Sequence, residues 1–148
     1  MDNAGIKVYN KSNSAIRIAQ THSIEVCTDG TTWISDSGGL VSTDGRTWSN
    51  YSSQIGYKTI NDVACLPDGH VWLAGYDTIG IFDGTTLTSY PVSALGTAQY
   101  SNQVKSVAVA PNGTVWVATA RSVARFSAGK WTYWQKGRGF SKDVYPSL

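Results

Sequence analysis

The sequence predicts an all-β fold built from repeated four-stranded antiparallel units, and three observations predict it. One phrase recurs as DGTTWIS from Asp29, DGHVWLA from Asp68 and NGTVWVA from Asn112. Around each copy lie four short runs rich in β-branched and aromatic residues, separated by turn pairs. No sustained helical period crosses the chain.

The repeat holds when it is measured. Trp33, Trp72 and Trp116 align at spacings of 39 and 44 residues, with Asp29-Gly30, Asp68-Gly69 and Asn112-Gly113 at constant offsets. Leu40, Ile79 and Val123 also align, as do Trp48, Leu87 and Trp131, and then Tyr51, Tyr90 and Trp134. The five extra residues of the second interval fall between units. Such a period marks a repeat architecture.

Within a unit the first run is SIEVC, DVACL or SVAVA, and the second is TTWIS, HVWLA or TVWVA. The pair DG or NG between them suits the positive φ of a type I′ hairpin turn. The third run is GLVS, IGIF or VARF, and the fourth is TWSNY, TLTSY or KWTYW. TDGRT and FDGTT are the turns that join third to fourth. Four such strands in about 40–45 residues make a β-propeller blade. A blade cannot bury both faces alone, so blades stack face to face. Trp33, Trp72 and Trp116 then read as core wedges between blades, each burying roughly 150–250 Å².

SVAVAPNGTVWVAT with VARFSAGKWTYW, and DVACLPDGHVWLAGYDTIGIFDGTTLTSY, resemble the regulator-type propeller repeats of periplasmic sensor regions in hybrid two-component kinases. SDSGGLVSTDGRTWSNYS also resembles the Asp-box turn of sialidase-like propellers, shortened by one residue. The resemblance covers about residues 5–136. It implies a propeller fold and a periplasmic or extracellular setting, and it carries no site with it.

A single repeat domain, 1–148, is expected, with complete blades at 23–53, 62–92 and 106–136. Residues 5–18 fit the last two strands of a blade, with Ile6 where Leu40 and Ile79 stand and Tyr9 where Phe82 stands. Residues 141–148 fit the beginning of a first strand. The ends thus share a split blade. Either one chain closes a small four-bladed ring, or it is a half-propeller that a second copy completes to about eight blades, which also hides its open strand edges. The charge favours the dimer. Up to Val104 there are five basic and nine acidic residues, whereas from Lys105 onward there are seven basic residues and one acid, Asp143.

Composition excludes several classes. Charged residues are 15% and hydrophobic residues 41%, so the chain is neither disordered nor a coiled coil. No apolar run approaches the roughly 18 residues of a membrane helix, and MDNAGIKVYN is not a secretory signal. Cys27 and Cys65 sit in apolar runs without metal-ligand spacing, which favours two small buried residues. A disulfide between them requires facing strand surfaces.

Catalytic chemistry finds no foothold. His22 and His70 stand apart, Glu25 is the sole glutamate, and Asp29, Asp44, Asp68 and Asp83 occupy turns. No nucleophile elbow, Walker loop or dinucleotide fingerprint occurs. We therefore expect no enzyme, metal or cofactor; a propeller lyase is the third reading, though the His and Glu cluster of such enzymes has no counterpart. Recognition is expected in loops that vary while strands repeat. These are SDSGG, GYDTI and TARSV, then SSQIGYKTIN, PVSALGTAQYSNQ and QKGRGFSK. Tyr57, Tyr76, Tyr100 and Phe140 offer aromatic faces, and Lys58, Asp77, Gln99, Asn102 and Arg121 offer polar contacts. Such a set suits a glycan, a peptide or a partner protein. KGRGFSK suits phosphate or an anionic glycan, and nothing predicts nucleic acid. The leading expectation is a binding module; the alternative is a structural segment of a larger two-component-type sensor.

Overall fold

Runs of β-branched and aromatic residues around each Trp form three four-stranded antiparallel sheets in the computed structural model. It describes residues 5–16, 20–56, 58–95 and 103–135, and the backbone of 145–146. The first sheet is β1 (Thr21–Val26), β2 (Thr32–Asp36), β3 (Gly39–Thr43) and β4 (Trp48–Asn50), neighbours in that order. The second is β5 (Ile60–Cys65), β6 (Val71–Gly75), β7 (Ile79–Phe82) and β8 (Leu87–Tyr90), followed by a 3-10 turn at Val92–Leu95. The third is β9 (Val104–Val109), β10 (Val115–Thr119), β11 (Ser122–Ser127) and β12 (Lys130–Gln135). These are the three predicted blades.

The ends depart from the expected strands. Residues 5–16 contain no strand. Tyr9 packs edge-on against Trp48 at 5.2 Å, and Ile16 is buried with Ile34 and Val41, so the segment covers part of the first sheet. Ile6, placed by alignment at a buried position, is 96% exposed. A short strand β13 (Tyr145–Pro146) runs antiparallel to β12 at the outer edge of the third sheet.

The hairpin turns are not type I′. Gly30, Gly69 and Gly113 have φ of 85°, 87° and 78°, while the Asp or Asn before each keeps negative φ. Each is a type I turn closed by a left-handed glycine, with Gly30 N–H donating to Cys27 O and Cys27 N–H to Thr31 O. Pro67 and Pro111 explain the choice, because proline holds φ near −65° at the position where type I′ needs a positive value. The aspartates work as expected. Asp44 accepts from Thr47 and Arg46 N–H, and Asp83 from Thr86 and Thr85 N–H. These bonds hold both carboxyls below their ordinary value. Their contribution is present above the ordinary aspartate range and is lost as pH falls through the lowered values.

Two apolar clusters fill the spaces between sheets, and they are copies of one another. Call the Trp-bearing face of each sheet its front. Trp33 on the first front packs on Tyr51 and on Phe82 of the second sheet, at 5.1 and 6.1 Å between centroids. Trp72 on the second front packs on Tyr90, Phe126 and Trp131 at 5.4 to 5.9 Å. Leu40, Ile60, Val71 and Leu73 in one cluster stand where Ile79, Val104, Val115 and Val117 stand in the other. Burying one such side chain contributes roughly 1.5–3 kcal/mol. The expectation that all three tryptophans are core needs correcting for Trp116. It stacks on Trp134 yet remains 40% exposed, because no further sheet among the described residues covers the third front.

The cysteines also need correcting. Cys27 and Cys65 form a disulfide, with Cα atoms 5.6 Å apart and a sequence separation of 38. Cys27 follows β1 on the first front, and Cys65 ends β5 on the second back, so they occupy the facing surfaces that such a bond requires. In the next interface Leu66 and Val109 occupy the same positions as an apolar pair. Closing a loop of that length stabilises the fold by about 3–4 kcal/mol through the unfolded chain. Reduction, or Cys27→Ser with Cys65→Ser, should therefore lower the unfolding free energy by that amount and the urea midpoint with it; an unchanged midpoint would show that the crosslink carries no stability.

Candidate functional site

Strand register decides which loops meet. Thr21 pairs with Asp36, Ile60 with Gly75, and Val104 with Thr119. The starts of the first strands and the ends of the second strands therefore lie at one end of every sheet. The turns after β2, β6 and β10 gather there, together with the connections between sheets. This end is the rim where the sequence ceases to repeat.

Each rim turn is tied down locally. Asp36 Oδ1 accepts from Gly38 N–H at 2.6 Å, and Thr119 Oγ1 accepts from Ser122 N–H at 2.9 Å. In the middle turn Gly75 N–H donates to Thr78 O at 2.8 Å, and Tyr76 N–H donates to Thr59 O at 3.2 Å. A Cβ on Gly75 would overlap the Thr59 carbonyl, so only glycine lets the connection lie this close. Thr59 Oγ1 in turn donates to Ser37 O at 3.1 Å, linking the rims of the first two sheets.

Beside this rim the first strands carry a polar collar that local patterns did not reveal. Asp62 Oδ1 accepts from Ser23 Oγ at 2.7 Å, while Oδ2 accepts from Ser106 Oγ at 2.6 Å and Val107 N–H at 2.9 Å. Ser23, Asp62 and Ser106 are the same position in three units, each ten residues before its Trp. One carboxylate therefore joins three sheets. Just before this position each first strand has an irregular register, at His22, Asn61 and Lys105. The side chains there reach forward: His22 Nδ1–H donates to Ile60 O at 2.8 Å, and Asn61 Nδ2 donates to Val104 O at 2.7 Å. The signal was present in the aligned units, because all these residues share a register.

Of the predicted site residues, Tyr76 and Asp77 lie exposed in the turn after β6, with Tyr76 57% exposed. Lys58 is half-buried two residues before β5, on the connection that Tyr76 N–H touches. Arg121 is exposed in the turn after β10. Tyr57, Gln99, Tyr100, Asn102 and Phe140 lie outside the described residues. An open groove of about 480 Å³ runs between Lys11, Ser14, Ala15, Ile16 and Asn50. Among the described residues no three His, Cys, Asp or Glu side chains are grouped as metal ligands, and no helix is long and apolar enough to cross a membrane. His70 is a half-buried residue just after the Asp68-Gly69 turn, 3.3 Å from Asp68.

The sequence matches no protein-family profile and no curated protein. Its fold is similar to the extracellular domain of a hybrid two component system, BT3049, from B. thetaiotaomicron. That alignment has a TM-score of 0.67 and 17% identity over 90% of this chain and 20% of that one. The extracellular domain of BT4673 from the same organism aligns with TM-scores of 0.49 and 0.44, each at 16% identity. Those alignments cover 84% and 72% of this chain, and 22% and 20% of the BT4673 chains. The chain thus spans about a fifth of the length of these domains, and the likeness to BT3049 concerns the fold.

Asp62→Ala should cost about 2–3 kcal/mol in urea unfolding, since it strands donors from two other sheets. Asp62→Asn should cost less, because an amide oxygen still accepts. Equal midpoints for all three proteins would show that the carboxylate does not link the sheets.

Proposed function

We propose that this chain is a non-catalytic propeller segment of the extracellular sensor type, whose rim recognises a soluble glycan or peptide without metal or cofactor. The observation that carries the reading is the separation of variable from repeated sequence. Strands, wedges and collar recur in register, whereas the rim turns share no sequence and present Tyr76, Asp77 and Arg121 to solvent. Aromatic faces beside carboxylate and guanidinium groups suit sugars and peptides. The Cys27–Cys65 crosslink supports an oxidising compartment, periplasmic or extracellular, in keeping with structural neighbours that are extracellular domains. The ring of blades is completed by a second copy.

A second reading, in which the blades transmit a signal or hold neighbouring parts in place, draws support from the small share of those neighbours that the chain spans. Glycan-array and peptide-library binding separates the two. Recognition predicts a ligand whose affinity falls by about tenfold or more in Tyr76→Ala, an exposed position whose loss leaves the melt unchanged. Absence of any ligand on either platform would favour the transmitting scaffold. Depolymerisation of a polysaccharide by the purified chain would overturn the non-catalytic reading.

A further inference from the structure

The interface between neighbouring sheets occurs twice inside the chain, and both times with the same parts. A front tryptophan meets a back phenylalanine, as Trp33 meets Phe82 and Trp72 meets Phe126. A back valine of the first strand is covered, with Val63 3% and Val107 5% exposed. A residue at the strand irregularity donates to the next first strand, His22 to Ile60 O and Asn61 to Val104 O.

Each end of the stack displays one unpaired half of that interface. On the third front Trp116 is 40% exposed, against 6% for Trp33 and 1% for Trp72. Lys105, the counterpart of His22 and Asn61, is also exposed there. On the first back Ile24, the counterpart of Val63 and Val107, is 63% exposed, and Val26 is 66% exposed. Residues 5–16 shield only the side of this face that holds Ile34 and Val41. Among the described residues nothing covers the inner strand at Ile24 and Val26.

We infer that these two faces are the halves of one head-to-tail interface, through which a second copy of this chain completes the stack. This deepens the assembly part of the proposed function and is independent of what the rim binds. Three observations select a second copy as the occupant. The open faces carry part of the set that pairs twice within the chain, Trp116 on the front and Ile24 and Val26 on the back, with Thr43 where Phe82 and Phe126 stand, so a sheet of this repeat has an apolar contact to make there. They are different faces, so front meets back and two copies close with two equivalent contacts. The charge agrees: the chain up to Val104 has five basic and nine acidic residues, and the shorter part from Lys105 has seven basic and one acidic.

Light scattering on the whole chain and on Ile24→Asp and Trp116→Asp tests this inference. The parent should run at twice its single-copy mass of 15.9 kDa. Each variant alone should run as a single copy with unchanged circular dichroism, its association weakened by at least about a hundredfold, because a carboxylate has been placed in an apolar contact. An equimolar mixture of the two should regain a pair, since an intact front then meets an intact back. A parent that stays a single copy at every concentration overturns the proposal, as does an Ile24→Asp protein that associates like the parent. A mixture that stays apart overturns the head-to-tail arrangement. If Trp116→Asp does not fold, Lys105→Glu serves as the front-face variant. Tyr76→Ala should associate normally, so a failure of assembly and a failure of rim recognition are read separately.

Discussion

A four-stranded sheet with apolar residues on both faces cannot stand in water by itself, and every feature of this molecule follows from covering those faces. The wedge is the means. Trp33 and Trp72 reach from one sheet into a cage of aromatic side chains on the next, and an aliphatic layer beneath them repeats residue for residue. Aromatic pairs at these spacings add about 0.5–1.5 kcal/mol beyond burial. A stack built this way is cooperative only between neighbours, so its stability grows with each covered face.

Apolar packing alone would let sheets slide, and polar contacts near the first strands prevent it. Asp62 accepts from both neighbouring sheets, and His22 and Asn61 each bind a carbonyl of the sheet in front. Such bonds have fixed lengths and directions, so they set the rotation between blades that dispersion leaves loose. The disulfide adds a covalent tie at one of the two interfaces. Together these contacts hold the rim turns in fixed relation, and a rim held that way can present a recognition surface with little ordering on binding.

Much of this architecture was legible in the residues, because repetition aligns three independent copies of one packing problem. All twelve blade strands lie where the runs around Trp33, Trp72 and Trp116 place them. The DG and NG pairs misled as to turn type, pointing to I′ although Pro67 and Pro111 exclude it. What escaped depends on contacts between units. The Cys27–Cys65 bond needs the twist between two sheets, and the Asp62 collar needs three strands brought side by side. The exposure of Trp116 is different again: local sequence makes it equivalent to Trp72, and what sets the two apart is that no sheet among the described residues lies on the third front. At the rim, Tyr76, Asp77 and Arg121 lie on exposed turns as expected, because turn chemistry is local.

Hydrogen exchange tests the dependence of stability on face coverage most directly. In dilute solution the second sheet, covered on both sides, should exchange its β6 and β7 amides only through global unfolding. The β10 and β11 amides of the third sheet should exchange through a smaller opening, and their protection should rise with protein concentration as the open front is covered. Protection of β10 and β11 equal to that of β6 and β7 at every concentration would contradict the account.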